Sequence, residues 1–368
     1  MVFNLIRDCN LECVHCYAGS RRKRFPGQLN TPTIKKVLED LAEFDVPAVL
    51  FSGGEPLIHP DFFDILEHAE NLGLRTTLST NGTLVDEETA LRLKESGLQY
   101  VGISIDGIGE TNDRFRGMEK AFERALEGIR RCREVSQKVG LRMTITDHNI
   151  DQIDEVFDLI VEEDIQRACF YHLSYSGRGK DIRKADLSDH QARNMMVTIF
   201  DRTRKINQSG RDLDVLTVAN PVDNAFLYKY LYQEDRARAE KVLRHLEWNG
   251  GGLNSSGVGV GAIDFYGRVH PNQFWMDRTL GNVKNRPFSE IWTDTDNEFL
   301  MKLRDRLQYL EGKCGECSLQ SICGGGMRVR ADATDHLWGP DPACYLTERE
   351  RNIPEFLSDV NVGESIGA

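Results

Sequence analysis

Residues 1–17 read MVFNLIRDCNLECVHCY: an apolar run, Val2–Ile6, and then three cysteines, Cys9, Cys13 and Cys16, within eight residues. The run has the length and composition of a buried strand, which places the cysteines on the loop that leaves it. The same order recurs downstream. Candidate strands are Ala48–Ser52, Arg75–Ser79, Tyr100–Ile105, Gly140–Thr146 and Ala168–Leu173; candidate helices between and after them are Thr33–Glu43, Asp61–Asn71, Glu87–Glu95, Ala121–Glu134, Asp151–Glu162 and Ser188–Arg204. Six β-then-α units predict an α/β protein with a parallel sheet and outer helices, either doubly wound or an incomplete barrel. Both architectures place chemistry at the carboxyl ends of the strands. The unusual residues fall there: Cys9 after strand one, Gly53-Gly54-Glu55-Pro56 after strand two, Asn81-Gly82 after strand three, Asp106-Gly107 after strand four.

The chain has 368 residues, 40% apolar and 28% charged, with 32 glycines and 11 prolines, an ordinary globular composition that can bury a sizeable core. No run approaches the roughly 20 apolar residues needed to span a bilayer, and Met1–Arg7 is too short for a signal peptide, so a cytoplasmic protein is expected. Fifty-eight acidic against 46 basic residues give a net charge of −12, which argues against nucleic acid or an anionic membrane as partner. After about Arg211 the alternation is expected to stop. A charged helical stretch, Gln233–His245, then leads to the loop 249–257, which predicts a first domain over 1–212, a helical linker over 213–254 and a smaller domain over 255–368.

Nine cysteines in a chain without an export signal argue for metal ligation over disulfides. Thiolates suit iron–sulfur clusters, zinc or Cu(I). A closed zinc site at the first group needs a fourth ligand, and His15, which adjoins Cys16, would turn toward the same ion only with difficulty; a catalytic zinc with three protein ligands is the alternative. Three thiolates on a cubane of four irons leave one iron open for a small molecule.

Cys9-Asn10-Leu11-x-Cys13-x-His15-Cys16-Tyr17 followed by Gly53-Gly54-Glu55-Pro56 resembles the radical S-adenosylmethionine (SAM) enzymes, over roughly the first 200 residues. The resemblance implies an incomplete (β/α)6 barrel and a [4Fe–4S] cluster on Cys9, Cys13 and Cys16. Its open iron would hold SAM, whose reductive cleavage gives a 5′-deoxyadenosyl radical. It also implies that Gly53 and Gly54 let backbone approach the methionine moiety, that Glu55, beside Pro56, pairs with its ammonium, and that Tyr17 lies near the adenine. Ser104 and Asp106 resemble ribose ligands, and Ser79 and Asn81 are expected in the same cleft. Turns alone would also account for Gly53-Gly54, Asn81-Gly82 and Asp106-Gly107.

Cys314-x2-Cys317-x5-Cys323 with Cys344 supplies four thiolates, enough for zinc or a fully ligated cluster. Beside the first domain the set resembles the SPASM/twitch extension of radical SAM proteins, reduced to one auxiliary [4Fe–4S] cluster. Without Cys344 as a ligand that cluster would keep an open iron. Cys132 and Cys169 read as core thiols.

The segments 170–179, 267–275, 281–283 and 337–345 resemble the branch acting on iron tetrapyrroles, which contains the heme d1 biosynthesis protein NirJ and the didecarboxysiroheme deacetylase AhbC. That resemblance implies removal of a propionate or acetate side chain from an iron tetrapyrrole, with flavodoxin or ferredoxin as electron donor. Such a substrate needs a cationic rim and apolar walls. Arg178, Lys180, Arg183 and Lys184 after strand six and Arg21–Arg24 after the cysteine loop are the candidate rim. His172 and His270 are candidate ligands to the substrate iron or hydrogen-bonded structural residues, and Tyr171 and Tyr175 are candidates for ring contact, proton donation or packing. The competing readings are a radical SAM enzyme that modifies a ribosomal peptide or matures another enzyme, and a zinc-binding structural protein.

Overall fold

The computed structural model describes residues 1–352; the last part of the expected C-terminal domain, 353–368, lies outside the described residues. One ten-stranded sheet organises the chain. Its strands are β1 (Val2–Ile6), β2 (Val49–Gly53), β3 (Thr76–Thr80), β4 (Tyr100–Ser104), β5 (Val139–Ile145), β6 (Arg167–His172), β7 (Asp214–Val218), β8 (Ala262–Ile263), β9 (Arg268–His270) and β10 (Gly281–Asn282). The spatial order is β10-β9-β8-β1-β2-β3-β4-β5-β6-β7, with β1 to β7 mutually parallel, β8 parallel to β1, and β9 and β10 antiparallel. The two ends do not pair, so any barrel is incomplete.

The outer helices are α1 (Thr31–Glu43), α2 (Phe62–Asn71), α3 (Glu87–Glu95), α4 (Glu110–Arg116), α5 (Ala121–Glu134), α6 (Ile153–Glu162), α7 (Asp189–Gln208), α8 (Val222–Glu234) and α9 (Arg236–Asn249). Local chemistry sets their starts. The Asn30 side chain accepts from Thr33 N ahead of Pro32 in α1, Asp86 caps α3, and Ser188 with Gln191 forms a capping box on α7.

Alternation along each strand divides the two faces. Phe3, Leu5, Phe51, Leu78, Val101, Ile103, Leu141, Met143 and Phe170 are buried in the principal apolar core with the helices. The intervening positions are polar: Asn4 pairs in register with Ser52, Ser104 with Arg142, and Thr144 with Tyr171. Ser52, Ser79, Ser104, Arg142 and Tyr171, from five successive strands, line one cavity. A flat sheet would spread those strands over about 19 Å at the usual spacing. The sheet therefore curves around its polar face.

Three expectations are corrected. The alternation does not stop at Arg211: β7 continues the parallel sheet beside β6, so the stretch 213–254 opens with a strand before it becomes helical. Asp214-Val215-Leu216-Thr217-Val218 is a short, partly exposed edge strand, with little of the apolar signal of a central one. The helix expected over Gln233–His245 is two helices, because Asp235 takes an extended conformation and its side chain caps α9 by accepting from Arg238 N. Helix α4 was absent from the sequence reading, and it carries the buried Arg116. Cys132 and Cys169 are buried within the core, as free thiols.

Candidate active site and auxiliary metal centre

The loop after β1 carries Cys9, Cys13 and Cys16, all half-buried. Leu11 N donates to Cys9 Sγ at 3.3 Å, and Arg178 Nε donates to Cys13 O at 2.7 Å while its Nη1 donates to Ser20 O at 2.9 Å. Arg116 Nη1 lies 3.8 Å from Cys13 Sγ, and its Nη2 pairs with Asp106 Oδ2 at 2.6 Å. Burial works against the Arg116 charge, but Asp106 and the Cys13 sulfur outweigh it and raise its pKa. Burial raises the Cys9 and Cys13 thiols, Cys13 to about 11, and the Arg116 charge beside Cys13 offsets part of that rise, while Arg178 fixes the loop backbone.

The three cysteines border an open cavity of about 1040 Å³, which also receives Tyr17, Gly53, Gly54, Ser79, Asn81 and Ser104. Tyr17 Oη donates to Asn4 Oδ1 at 2.8 Å and lies 3.1 Å from Ser52 Oγ, and its ring meets Phe274 edge-on at 5.2 Å. Burial pushes its phenol up to about 12, so it is neutral at physiological pH. Gly53 and Gly54 are required by the neighbouring strand as well as by the cavity. A Cβ on Gly54 would stand 2.0 Å from Asp8 O, and one on Gly53, at φ +135°, would stand 2.4 Å from Ile6 O. Gly54→Ala is accordingly expected to displace the end of β1 and Cys9 with it. The cost should be about 1–3 kcal/mol, read as a lower urea midpoint together with reduced iron content after anaerobic reconstitution. An unchanged midpoint and iron content would show that the backbone yields at no cost.

Several expected site residues lie elsewhere. Glu55 is fully buried and does not line the cavity; its carboxylate accepts from Leu57 N, Thr80 Oγ1 and Asn81 N, which sets the turn that presents Asn81. Pro56, also buried, starts the short turn behind it. Asp106 is fully buried, accepting from Thr144 N and pairing with Arg116, so its carboxylate is already occupied. Tyr175 is buried outside the cavity with its Oη donating to Asp186. His270 is fully buried against Arg278 O at 2.6 Å and is not a cavity residue. Tyr171, His172 and Arg178 do line the cavity. His172 Nε2 is 3.0 Å from Asp223 Oδ2 and its Nδ1 faces Asn220, an arrangement that holds the ring and leaves neither nitrogen free for iron. The Tyr171 hydroxyl takes a hydrogen bond from Arg142.

Arg142 and Arg116 were missed by sequence reasoning. A signal existed for the first: within Gly140–Ile145 the apolar positions 141, 143 and 145 alternate with Arg142 and Thr144, a charge on the inner face of a central strand.

Five residues that line the cavity carry a buried polar atom with no hydrogen-bond partner among the described residues: His15 Nδ1, Ser20 Oγ, Arg116 Nε, Arg178 Nη2 and Gln273 Oε1. They give a polar ligand or ordered water groups to pair with in this cavity. Cys314, Cys317, Cys323 and Cys344 are buried and line a second, small pocket together. Among the described residues no three His, Cys, Asp or Glu side chains converge closely enough to hold a single metal ion. Soft thiolate donors in sets of three and four suit iron–sulfur clusters, and the four-cysteine set also has the donors of a zinc site.

Fold and site together define an α/β protein in which a three-cysteine loop borders a small-molecule cavity on the inner face of a curved parallel sheet. A sequence model of the radical SAM superfamily matches residues 3–160. The chain is 46% identical to the Fe-coproporphyrin III synthase of Methanosarcina barkeri over 95% of this chain and 88% of that protein. It is 42% identical to the pre-heme d1 synthase of Dinoroseobacter shibae over 100% of this chain and 91% of that protein. The fold matches that of anSMEcpe with bound AdoMet at a TM-score of 0.72, 20% identity and 93% coverage of each chain. The chain belongs to the radical SAM superfamily, whose enzymes use a [4Fe–4S] cluster and SAM. No helix among the described residues is long and apolar enough to cross a membrane.

Proposed function

We propose that this enzyme removes a propionate or acetate side chain from an iron tetrapyrrole of the didecarboxysiroheme type, in heme d1 or siroheme-dependent heme biosynthesis in the cytoplasm. The observation that carries the reading is near-full-length identity of 46% and 42% to two enzymes whose names specify iron coproporphyrin and pre-heme d1 products.

In this reading Cys9, Cys13 and Cys16 hold the SAM-binding cluster, and Cys314, Cys317, Cys323 and Cys344 together hold an auxiliary one. The parallel sheet runs on through β7, α8 and α9 follow it, and the auxiliary cysteines lie in the region after them. When bound, cluster and SAM supply a 5′-deoxyadenosyl radical that abstracts hydrogen from the substrate. The protein's own work is placement. Ser79, Asn81, Ser104 and Tyr17 offer neutral hydrogen-bonding groups to SAM, and Gly53-Gly54 keep that side of the cavity open. Arg142, steadied by Tyr171, presents a cation on the inner wall to a substrate carboxylate. Gln273 and Phe274 stand on the boundary with a second chamber of about 790 Å³, which they also line. That chamber is walled by Asn220, Asn224, Asn272, Ser255, Ser256 and Met327, a lining of mixed polarity that suits a macrocycle whose edge reaches the first cavity.

Anaerobic incubation with SAM, reductant and didecarboxysiroheme is expected to yield 5′-deoxyadenosine and a lighter tetrapyrrole, and the product mass distinguishes acetate from propionate loss. Deoxyadenosine formation with an unaltered tetrapyrrole would overturn the substrate assignment.

A further inference from the structure

Arg21, Arg22, Lys23 and Arg24 are four consecutive exposed cations in a chain whose net charge is −12. Sequence reasoning set them at a substrate rim. None of them lines the reaction cavity or the second chamber. They lie instead on the outside of the cysteine loop. Cys9 N donates to Arg21 O at 3.1 Å, Asp8 and Arg21 form a β-bridge, and Phe25 N and Gln28 Nε2 both donate to Asp8 Oδ1. The Arg22 guanidinium donates to Gly117 O, and the same cysteine loop is tied to that turn through Glu12 N to Arg116 O and Val14 N to Phe115 O. Lys23 Nζ lies 4.7 Å from the centroid of the Phe25 ring, on which Arg7 also packs.

The run is therefore ordered surface, held to the backbone of the first cluster cysteine by one hydrogen bond. None of its four side chains forms an ion pair among the described residues, and Glu12, exposed on the adjoining turn, offsets only part of the charge. Four adjacent like charges repel one another, and a net-negative protein gains nothing in solubility from them. Their position gives them a use. A cluster held by Cys9, Cys13 and Cys16 would need one electron per SAM cleavage, and because those cysteines border the cavity a protein donor would reach the loop from its solvent side.

We propose that Arg21–Arg24 form the docking surface for an acidic one-electron carrier protein of the flavodoxin or ferredoxin class. The carrier loses one electron and the cluster held by Cys9, Cys13 and Cys16 gains it, with no atom or proton exchanged. Complementary charge raises the encounter rate and fades with salt, as befits a transient redox complex.

The test uses the full-length holoenzyme and the triple variant Arg21→Gln/Lys23→Gln/Arg24→Gln, which leaves Arg22 and its bond to Gly117 in place. Flavodoxin is the probe, with SAM cleavage to 5′-deoxyadenosine measured without tetrapyrrole, so the outcome is independent of the substrate assignment. The variant should bind flavodoxin about tenfold more weakly at low ionic strength, with a flatter salt dependence, and its flavodoxin-driven rate should fall by a similar factor. Its dithionite-driven rate and iron content should match the parent. Equal losses with dithionite and flavodoxin would assign the run to support of the cluster loop, and unchanged flavodoxin binding would show that the donor docks elsewhere; either result overturns the proposal.

Discussion

Alanine at Cys9, Cys13 or Cys16 is expected to abolish 5′-deoxyadenosine formation, while alanine at Cys344 should leave SAM cleavage measurable. In the proposed assignment each member of the triad supplies one of three protein bonds to its cluster, and two thiolates, which leave two of four irons without a protein ligand, do not retain a cubane against loss of iron. Iron should fall from about eight per chain toward about four in a triad variant, and the remaining signal should come from the pocket formed by Cys314, Cys317, Cys323 and Cys344. The fold should persist, because the cysteine loop is anchored by Arg178 to Cys13 O and Ser20 O and by backbone bonds to residues 115 and 116. Iron content with electron paramagnetic resonance, read together with deoxyadenosine yield, checks this. Triad variants that cleave SAM at the parental rate would remove the basis of the active-site assignment.

Arg330→Met is expected to be the most destabilising single change outside the cysteines. Arg330 is fully buried, binds Asp341 bidentately at 2.8 Å through Nε and Nη2, and donates to Ala219 O, Leu173 O and Asn220 Oδ1. It thus joins the end of β6 and the approach to α8 to the C-terminal cysteine region. Burial opposes the Asp341 charge, but Arg330 outweighs it and holds the carboxyl below the usual range. Asp341 further accepts from Met327 N and Ala343 N. Removing the guanidinium leaves a buried carboxylate without its cation, a change that costs about 3–5 kcal/mol, and Arg330→Met/Asp341→Leu should recover much of it. Because the folded-state pKa of Asp341 is depressed, its stabilisation is present above the ordinary carboxylate pKa, about 4, and is lost as pH falls through the lower folded value. Urea midpoints at neutral and acidic pH read both effects. A single variant with the parental midpoint would mean that solvent or neighbouring groups replace the guanidinium.

The β/α alternation was legible because it is written in local periodicity. Helices α3 and α5 fall where the sequence placed them, and β1 agrees residue for residue. Edge strand β7 and short helix α4 escaped because neither has a long apolar pattern. Site chemistry was legible where spacing carries it, as in Cys9-x3-Cys13-x2-Cys16. It was not legible where a residue's partner is remote. Asp106 looks like a ligand-binding residue until Arg116 is seen to occupy it, and Arg178 spends two of its nitrogens on carbonyls of the cysteine loop, one of them 165 positions away, with Nη2 left unpartnered among the described residues.

The sequence by itself determined the order of strands and helices along the chain and the spacing within the two cysteine sets. Those features depend on neighbours a few residues away, whose side-chain period and spacing are fixed before the chain folds. Tertiary structure alone decided which charges face the cavity, which are buried in pairs and which lie outside beside the cysteine loop. An ionisable side chain takes its role from the dielectric and the partners around it, and here those come from segments that meet only when the sheet curves.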